Sequence, residues 1–485
     1  MKNLIFLLAA VGISLAAKAQ ELTNVTVEAK SPETVEVKPA AAKPTVPNSG
    51  PMTIDLAAAL RLADGRNYRI AIARESVKEA DAHLRRMEYL LIPSLTVGGS
   101  WTHQEGRLQE TGGRVGEVSR NAGFIGAGAG AVGAGTVAIP GLQVSANLAD
   151  AYFEPLAARQ DRQAAKAASD AMGNVILLQT AEAYFNLVRA RAGIVVAAQS
   201  LKNTAELAKV TADFASSGEG LQSDAQRMRV EELMRARESE KANEEFAVAA
   251  ARLSSLLHLA HGVELSPAES SVTPVAVQGN DQPLAELVAL ALQNRPEVKH
   301  GDAIVKAASS RVSQARYSPV IPNVTVGASA GGFGGGIGGG IANTGGRTDF
   351  SALLYWRLEN FGLGNRERVN ERKSLLEQAK HSKAGIMDLI IFDVKQAHAQ
   401  VSSRRRQIGI AEEAVQSAVK SFELNRSRIF QKQGLPIEVL QAIQSLANAR
   451  RILVDTVADY NVSQFSLYAA IGRSADEAAG GKTAE

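Results

Sequence analysis

Two glycine patterns in this sequence have the letters of a nucleotide-binding motif. Residues 128–133 and 334–339 both read Gly-x-Gly-x-x-Gly, the fingerprint in which glycines let a backbone approach a pyrophosphate. That fingerprint also requires a preceding strand and a helix that opens at the glycines. Neither copy lies in such a βαβ unit, so we interpret both as flexible surface loops between strands and expect no nucleotide cofactor.

The histidines offer a second candidate site. His258 and His261 are three positions apart at a predicted helix end, where they could hold a metal ion. The sequence has no cysteine, and no further histidine set lies near this pair, so a simple helix-end pair is the favoured interpretation. No nucleophile stands beside a base. The sequence therefore predicts no enzyme, no metal site and no cofactor.

Charge and hydropathy limit the class of protein. The 485 residues include 53 basic and 50 acidic side chains, and a net charge of only +3 argues against charge-driven nucleic-acid binding. Residues 1–19 are predicted to be a secretory signal peptide, and residues 20–51 a flexible leader. No later segment has the roughly 18 consecutive apolar residues of a membrane-spanning helix. Insertion into a membrane would therefore have to use strands.

Four predicted strands position the remaining candidate residues. They lie at about 94–104, 140–148, 323–331 and 348–358. In each strand apolar residues alternate with small or polar ones, so that one face is apolar and the other mostly polar. A loop rich in glycine, alanine and polar residues is predicted over 105–139.

The strand pairs belong to an internal duplication. Thr96-Val97-Gly98 recurs as Thr325-Val326-Gly327, and Gly220-Leu221 recurs as Gly434-Leu435. The predicted parts are a first structural repeat (52–261), a linker (262–282), a second structural repeat (283–471) and a disordered tail (472–485).

Long helices fill the rest of each repeat. They are predicted over about 53–91, 155–217, 221–259, 363–433 and 437–471. Apolar and small residues from Ile176 to Leu201 step by alternating fours and threes, which is the spacing of a coiled-coil seam. Taken alone, the helices favour a soluble coiled coil.

The strands change that interpretation. Four strands with one apolar face cannot close on themselves, whereas a membrane barrel needs about eight or more because lipid tolerates no open sheet edge. Several copies of the chain are therefore expected to share one barrel, with Thr, Ser, Gln and Asn facing a polar interior. Trp101, Tyr355 and Trp356 lie at or near strand ends, where the aromatic residues of a membrane interface belong.

This duplicated arrangement resembles the TolC-like outer-membrane efflux proteins over about residues 53–472. The resemblance rests on the order, spacing and duplication of short segments, each of them weak alone. They are Leu56-Ala57-Ala58-Ala59-Leu60, Leu287–Pro296, Pro93-Ser94-Leu95, Pro322-Asn323-Val324 and Gly434–Ala442. The implied fold is mainly α with a β membrane portion. In it three chains form a 12-stranded β-barrel that continues into a periplasmic α-helical barrel.

The function implied by the resemblance is that of an exit duct in the outer membrane. Such a duct passes substrates from an inner-membrane pump and a periplasmic adaptor protein to the outside, in a tripartite efflux or type I secretion system. The expected partners are thus two further copies of the chain, the adaptor, the pump and outer-membrane lipid. The helical part is expected in the periplasm.

The resemblance also implies candidate sites. Glu438 matches an acid at the pore constriction, Gln441 stands without charge at the second acidic position, and Asp224 matches an acid that holds the mouth closed. The helix dipole explains Glu438 equally well, as a first-turn acid. The candidates for adaptor docking are the turn residues Gly218, Gly220, Leu221, Gly434, Leu435 and Pro436.

Two other functions fit parts of the sequence. A passive outer-membrane porin would conduct without partners, but it would not need long helices. A structural coiled coil of the periplasm would stay soluble without detergent. Dependence on detergent and conductance at rest therefore distinguish both from an exit duct.

Overall fold

The computed structural model describes most of the two predicted repeats. The described residues are 52–109, 112–129, 139–140, 142–260, 262–269, 271–275, 277, 282–338, 340–431 and 433–475. The predicted signal peptide (1–19) and leader (20–51) lie outside them, as do His261 and residues 476–485 of the predicted tail.

Helices dominate the described residues. The α-helices are α1 (Leu56–Arg66), α2 (Tyr68–Glu88), α3 (Leu148–Ser216), α4 (Gln222–Leu256), α5 (Leu284–Asn294), α6 (Pro296–Tyr317), α7 (Leu363–Phe430) and α8 (Pro436–Ala470). The strands are β1 (Met52–Ile54), β2 (Ser94–Leu95), β3 (Gly98–Gln109), β4 (Val115–Ala129), β5 (Ile139–Pro140), β6 (Leu142–Asn147), β7 (Leu265–Pro267), β8 (Asn323–Ile337) and β9 (Gly345–Tyr355). This confirms the predicted mainly helical chain with a smaller β portion.

The helices of the two halves match in order and length. α1 to α4 have 11, 21, 69 and 35 residues, and α5 to α8 have 11, 22, 68 and 35. At about 1.5 Å per residue, α3 and α7 each extend about 100 Å. The predicted duplication with long helices is therefore confirmed.

The prediction of one continuous helix over 53–91 is wrong. β1 precedes the first helix, and the buried residue Asn67 separates α1 from α2. Its side-chain oxygen accepts the Arg69 N–H at 2.9 Å, and its Nδ2 donates to the Leu256 carbonyl at 3.1 Å. Because Asn67 caps the second helix with an extended backbone, the chain turns there. The second half breaks at the matching place, at Arg295 before Pro296.

The prediction of a loop over 105–139 is also wrong, because many of the described residues in this range form strands. β3 extends to Gln109, and β4 runs back antiparallel to it from Val115. β8 pairs with β4 from Ile337 to Ala330 and with β6 from Ala328 to Asn323. β4 and β6 therefore lie in line beside β8, and the sheet contains four side-by-side positions: β3, then β4 with β6, then β8, then β9.

Glycine explains why this strand was not predicted. Glycine and alanine are depleted in strands, so the segment has the composition of a loop. At the β4–β8 pairing, however, a Cβ added to Gly126 would lie 2.6 Å from the Cα of Gly331. Glycine is thus needed for the two backbones to approach. Gly334 and Gly336, interpreted above as loop residues, likewise lie within β8.

Helices pack in the same side-by-side order as the strands that they continue. α2 packs on α3, α3 on α6, and α6 on α7. Farther from the sheet, α4 packs on α3, α3 on α8, and α8 on α7. The two repeats therefore meet through the β4–β8, β6–β8, α3–α6 and α3–α8 contacts.

A small second sheet joins the start of the first repeat to the predicted linker by strand pairing. β1 and β7 pair in parallel, with Ile54 opposite Pro267. Beside them, the buried Tyr184 donates its hydroxyl to the Glu269 carboxylate. Burial and the nearby acid raise the pKa of Tyr184 above its ordinary value, so the hydroxyl keeps its proton. This sheet lies against the largest apolar cluster of the described chain.

The first residues of the predicted tail are packed. Ala475 is 1% exposed and belongs to the main apolar cluster, so the prediction of disorder is wrong up to that residue. Within the described ranges, no helix is both long enough and apolar enough to cross a membrane.

Candidate functional site

Two helix-to-helix turns carry most of the predicted site residues, and they are built alike. The first joins α3 to α4, and a Cβ added to Gly220 would lie 3.1 Å from the Cβ of Phe214. The second joins α7 to α8, and a Cβ added to Gly434 would lie 3.2 Å from the Cβ of Arg428. The residues Phe214 and Arg428 therefore occupy equivalent positions, each one packed under the glycine of its own turn. Gly218 has a φ of +79°, a conformation that favours glycine.

The two turns hold their acids differently. Glu438 accepts a hydrogen bond from the Leu435 N–H at 3.4 Å and lies 3.4 Å from Nη1 of Arg428. Asp224 occupies the equivalent position in the first turn, where Phe214 replaces the arginine. Within the described part of the chain, Asp224 has no ion pair. The structure thus pairs one predicted constriction acid, whereas the other has no cationic partner among the described residues.

The other predicted turn residues lie at the ends of the same two helix pairs. Leu221 and Leu435 immediately precede α4 and α8, and their side chains are exposed. Gln441 is exposed about one turn beyond Glu438. Pro436 is the first residue of α8, where its fixed φ and missing N–H are tolerated. A small apolar cluster that includes Leu207, Met228 and Ile443 joins both helix pairs near the turns.

The sheet has one apolar and one polar face. The apolar face includes Trp101, Ile125, Val144, Ala146, Val324, Val326, Phe350, Ala352 and Leu354. Several of these side chains are open to solvent in the single chain, with Phe350 76% and Ile125 75% exposed. Apolar side chains in such a contiguous exposed set mark a contact with lipid or protein.

The two tryptophans lie toward opposite ends of this apolar face. Trp101 is level with Gly123 and Gly334, whereas Trp356 directly follows β9 and donates its indole N–H to the Val320 carbonyl at 3.0 Å. Leu354, beside Trp356, is level with Val324. Ten residues of β8 therefore separate the two levels, or about 34 Å of strand. At a barrel tilt of about 40° the band is about 26 Å tall, close to the apolar belt of about 25 Å that outer-membrane barrels have.

The sequence predicts Tyr355 to be an interface aromatic like these tryptophans. The register places it opposite Asn323, on the polar face of the sheet, with the Arg357 guanidinium 6.0 Å from its ring centre. It therefore does not share the face of Trp101. The interface assignment of Trp101 and Trp356 stays a prediction.

Hydrogen bonds and an ion pair connect side chains on the polar face. The hydroxyls of Ser145 and Thr325 lie 3.1 Å apart on neighbouring strands. Arg347 donates to both carboxylate oxygens of Asp349, at 2.8 and 3.0 Å. Sequence patterns predicted that this face is polar, but these partners follow from strand register, which no pattern in the sequence specified.

Only parts of the glycine and histidine motifs lie in the described residues: Gly130, Gly133, Gly339 and His261 lie outside them. Gly334 and Gly336 lie in an antiparallel strand rather than at a strand-to-helix turn. The His258 ring centre lies 4.2 Å from that of Tyr68, a packing contact. The described residues contain no group of three or more His, Asp or Glu side chains placed to hold a metal ion.

Comparison with known proteins shows a similarity in the second half of the chain. Residues 287–473, which include most of the second repeat, match the family described as outer membrane efflux protein. No curated protein matches the chain significantly. Over these residues the chain is similar to outer membrane efflux proteins, and the duplicated fold described above agrees with that similarity.

Solved structures share the fold over nearly the whole described chain. The outer membrane protein VceC of Vibrio cholerae is 18% identical, with a TM-score of 0.69, covering 86% of this chain and 96% of its own. The CmeC outer membrane channel of Campylobacter jejuni is 16% identical, with a TM-score of 0.70, covering 86% and 85%. The outer-membrane channel OprN is 15% identical, with a TM-score of 0.70, covering 87% and 90%. At these identities the likeness establishes the fold.

Proposed function

We propose that this chain works as a homotrimer and is the outer-membrane exit duct of a tripartite efflux or type I secretion system. In that role it receives substrates from an inner-membrane pump through a periplasmic adaptor and releases them outside. The observation that carries the proposal is the pair of open edges on the four-position sheet. β3 pairs only with β4, and β9 only with β8, among the described strands longer than two residues.

Open edges with exposed apolar faces need further strands. An unpaired backbone N–H or C=O in lipid costs several kcal/mol, so a membrane sheet has to close. β3 of one copy and β9 of the next are free to pair, and three copies would contribute twelve strands. A sheet of four positions is too narrow to close alone, because known single barrels begin at about eight strands.

The helices support the same assembly. Four exposed apolar side chains lie along α7 at intervals of 14, 21 and 14 residues, namely Leu375, Leu389, Ile410 and Leu424. In a left-handed coiled coil, residues separated by multiples of seven lie on one face. This stripe lies on a helix at the edge of the chain, so a neighbouring copy can cover it.

The turns would then form the periplasmic mouth. Three copies would place six turns around it, and Asp224, Glu438 and Gln441 are the proposed constriction residues. Rings of carboxylates in a narrow polar pore favour cations. Because Arg428 is close to Glu438, we assign the larger part of this effect to Asp224. The exposed side chains of Leu221 and Leu435, flanked by Gly218, Gly220, Gly434 and Pro436, would offer the adaptor an apolar docking surface.

Native mass spectrometry of the detergent-extracted protein tests the assembly. A trimer is expected, since only a shared barrel satisfies both sheet edges. A protein that is monomeric and soluble without detergent would overturn the proposal. Conductance in planar bilayers then separates an exit duct from a passive porin. We expect mostly closed channels at rest, whereas a porin would be open without partners.

Binding to an adaptor is tested separately. The double variant Leu221→Ser, Leu435→Ser should form normal trimers but lose efflux in cells that contain the pump and adaptor. A matched control is Ile452→Ser, which changes an exposed apolar side chain of α8 away from the turns. Normal efflux by the double variant would remove these leucines from the docking surface.

A further inference from the structure

The polar face of the sheet carries few charges. On β3, β4, β6, β8 and β9, the side chains with the register of this face include only three charged groups in the described residues: Arg120, Arg347 and Asp349. Arg347 and Asp349 form a two-bonded ion pair, which Ser329 extends by donating to Asp349 at 3.3 Å. That pair is neutral as a unit.

Arg120 is different, because its partner is neutral. Its Nε donates to the Oε1 of Gln104 at 2.7 Å across the β3–β4 pair. The described residues include no acidic partner for it. An arginine side chain stays protonated at every physiological pH. On the described strands of the sheet, Arg120 is therefore the one charged group of the polar face without an opposite charge beside it.

The register also gives the level of this charge. Arg120 lies opposite Gln104, which is three residues beyond Trp101 on β3, and opposite Ile337 at the end of β8. Trp101 is the last apolar residue of the apolar face on β3. Beyond it, the side chains with the same register are the polar residues His103, Glu105 and Arg107. Arg120 thus lies past the apolar band, at the end of the sheet opposite to the helices.

We infer that Arg120 is a specificity-determining residue of the channel, at the outer end of its lumen. The inference rests on the proposed trimer, in which three guanidinium groups form a ring. Rings of Arg or Lys favour anions and repel cations, and low-dielectric walls strengthen the effect. The exit would then have the opposite charge preference to the acidic mouth. Gln104 is a positioning residue, because its hydrogen bond fixes the direction of the guanidinium.

Reversal potentials across a salt gradient test this assignment. The wild-type protein and its variants are compared as trimers in planar bilayers with dilute KCl. Arg120→Gln should raise the potassium-to-chloride permeability ratio by about twofold or more, and Arg120→Lys should leave it unchanged. Because the charge is only partly buried, electrolyte should screen it and the shift should shrink at high salt.

Arg107→Gln is the matched control. It removes the same charge from the same hairpin, but Arg107 lies on the apolar-face register of β3, opposite Glu117. Its permeability ratio should equal that of the wild type. Gln104→Glu is a second test of the role of Arg120, because the new carboxylate neutralises Arg120 without removing it. This variant should reproduce the shift in permeability ratio even if Arg120→Gln does not assemble.

The outcomes are separable. Conducting trimers in which Arg120→Gln and Gln104→Glu both keep the wild-type ratio would overturn the role of Arg120 and leave the proposed function intact. An equal shift in Arg107→Gln would also overturn it, since the effect would then be one of general surface charge. A wild-type protein that forms no trimer would overturn the proposed function and this inference together.

Discussion

The Oε2 atom of Glu438 lies 3.4 Å from Nη1 of Arg428, across the turn that joins α7 to α8. The same carboxylate caps its own helix by accepting the Leu435 N–H. In the duplicated turn, Phe214 stands where Arg428 does and Asp224 stands where Glu438 does. One turn of each chain therefore has a partly neutralised acid and the other an acid without that partner. The two acids should contribute unequally to the field of the mouth.

The first prediction concerns ion selectivity. Asp224→Asn should lower the potassium-to-chloride permeability ratio of the open channel more than Glu438→Gln does, because Arg428 already offsets Glu438. Arg428→Gln should raise the ratio by freeing the carboxylate, and the double variant Arg428→Gln, Glu438→Gln should remove that rise. Reversal potentials of the trimer in planar bilayers measure all four. If Glu438→Gln has the largest effect, the pairing does not operate in the assembled channel.

Much of the fold could be predicted from sequence periodicity. Heptad spacing indicated the long helices, and alternation from Val324 to Ala330 indicated a strand with one apolar face. The strand β4 was missed because its composition is that of a loop. Its pairing depends on contacts such as Gly126 with Gly331, which are 205 positions apart in the sequence. Local pattern cannot report a contact over that distance.

The candidate site could likewise be predicted only in part from the sequence. The duplication located Asp224 and Glu438 at equivalent positions, because the two turns share a sequence pattern. It did not predict the Arg428–Glu438 pair, which depends on the close packing of Arg428 under Gly434. The Gln104–Arg120 bond likewise depends on a strand that the sequence did not predict. Neither of these side-chain partners could be predicted, because each contact depends on packing or register between separate segments.

The second prediction places the two tryptophans at the membrane interfaces. The sequence has only two tryptophans, so Trp101→Phe leaves Trp356 as the single tryptophan fluorophore, and Trp356→Phe leaves Trp101. In vesicles with brominated lipids, each fluorophore should be quenched most by bromines near the headgroups, because indole rings prefer that depth. Strongest quenching by bromines at the chain ends, for either residue, would contradict the depth derived from the register.

The third prediction concerns the close approach of β4 and β8. A Cβ added to Gly331 would lie 2.7 Å from Cε2 of Phe124 and 2.7 Å from the Ile125 carbonyl oxygen. Gly331→Ala should therefore destabilise the protein by about 1–3 kcal/mol, the usual cost of overpacking. The measurement is the midpoint of thermal unfolding in detergent.

Gly346→Ala is the control for this effect. Gly346 lies on β9, and nothing stands within 4 Å of the Cβ that the substitution adds. Its midpoint should stay close to that of the wild type. Adding Phe124→Ala to Gly331→Ala should recover little, since the carbonyl of Ile125 still blocks the new methyl group. Equal midpoints for Gly331→Ala and Gly346→Ala would show that the strands separate at this point.

The last prediction concerns the dependence of stability on pH. Burial raises the pKa of Glu182 on α3 above its ordinary value, and the nearby Arg252 only partly opposes this. The folded protein then holds a proton on Glu182 at a pH where the unfolded chain has lost it. Stability from this group is therefore greatest below the unfolded pKa and is lost as the pH rises through the folded one.

Glu182→Gln should remain neutral throughout, so its thermal midpoint should exceed that of the wild type at pH 7.5 and equal it at pH 4. Glu377→Gln, on an exposed face of α7 where Lys380 lowers the pKa of Glu377, should show no such gain. A wild-type protein whose midpoint rises between pH 4 and 7.5 relative to Glu182→Gln would mean that Arg252 dominates over burial at this site.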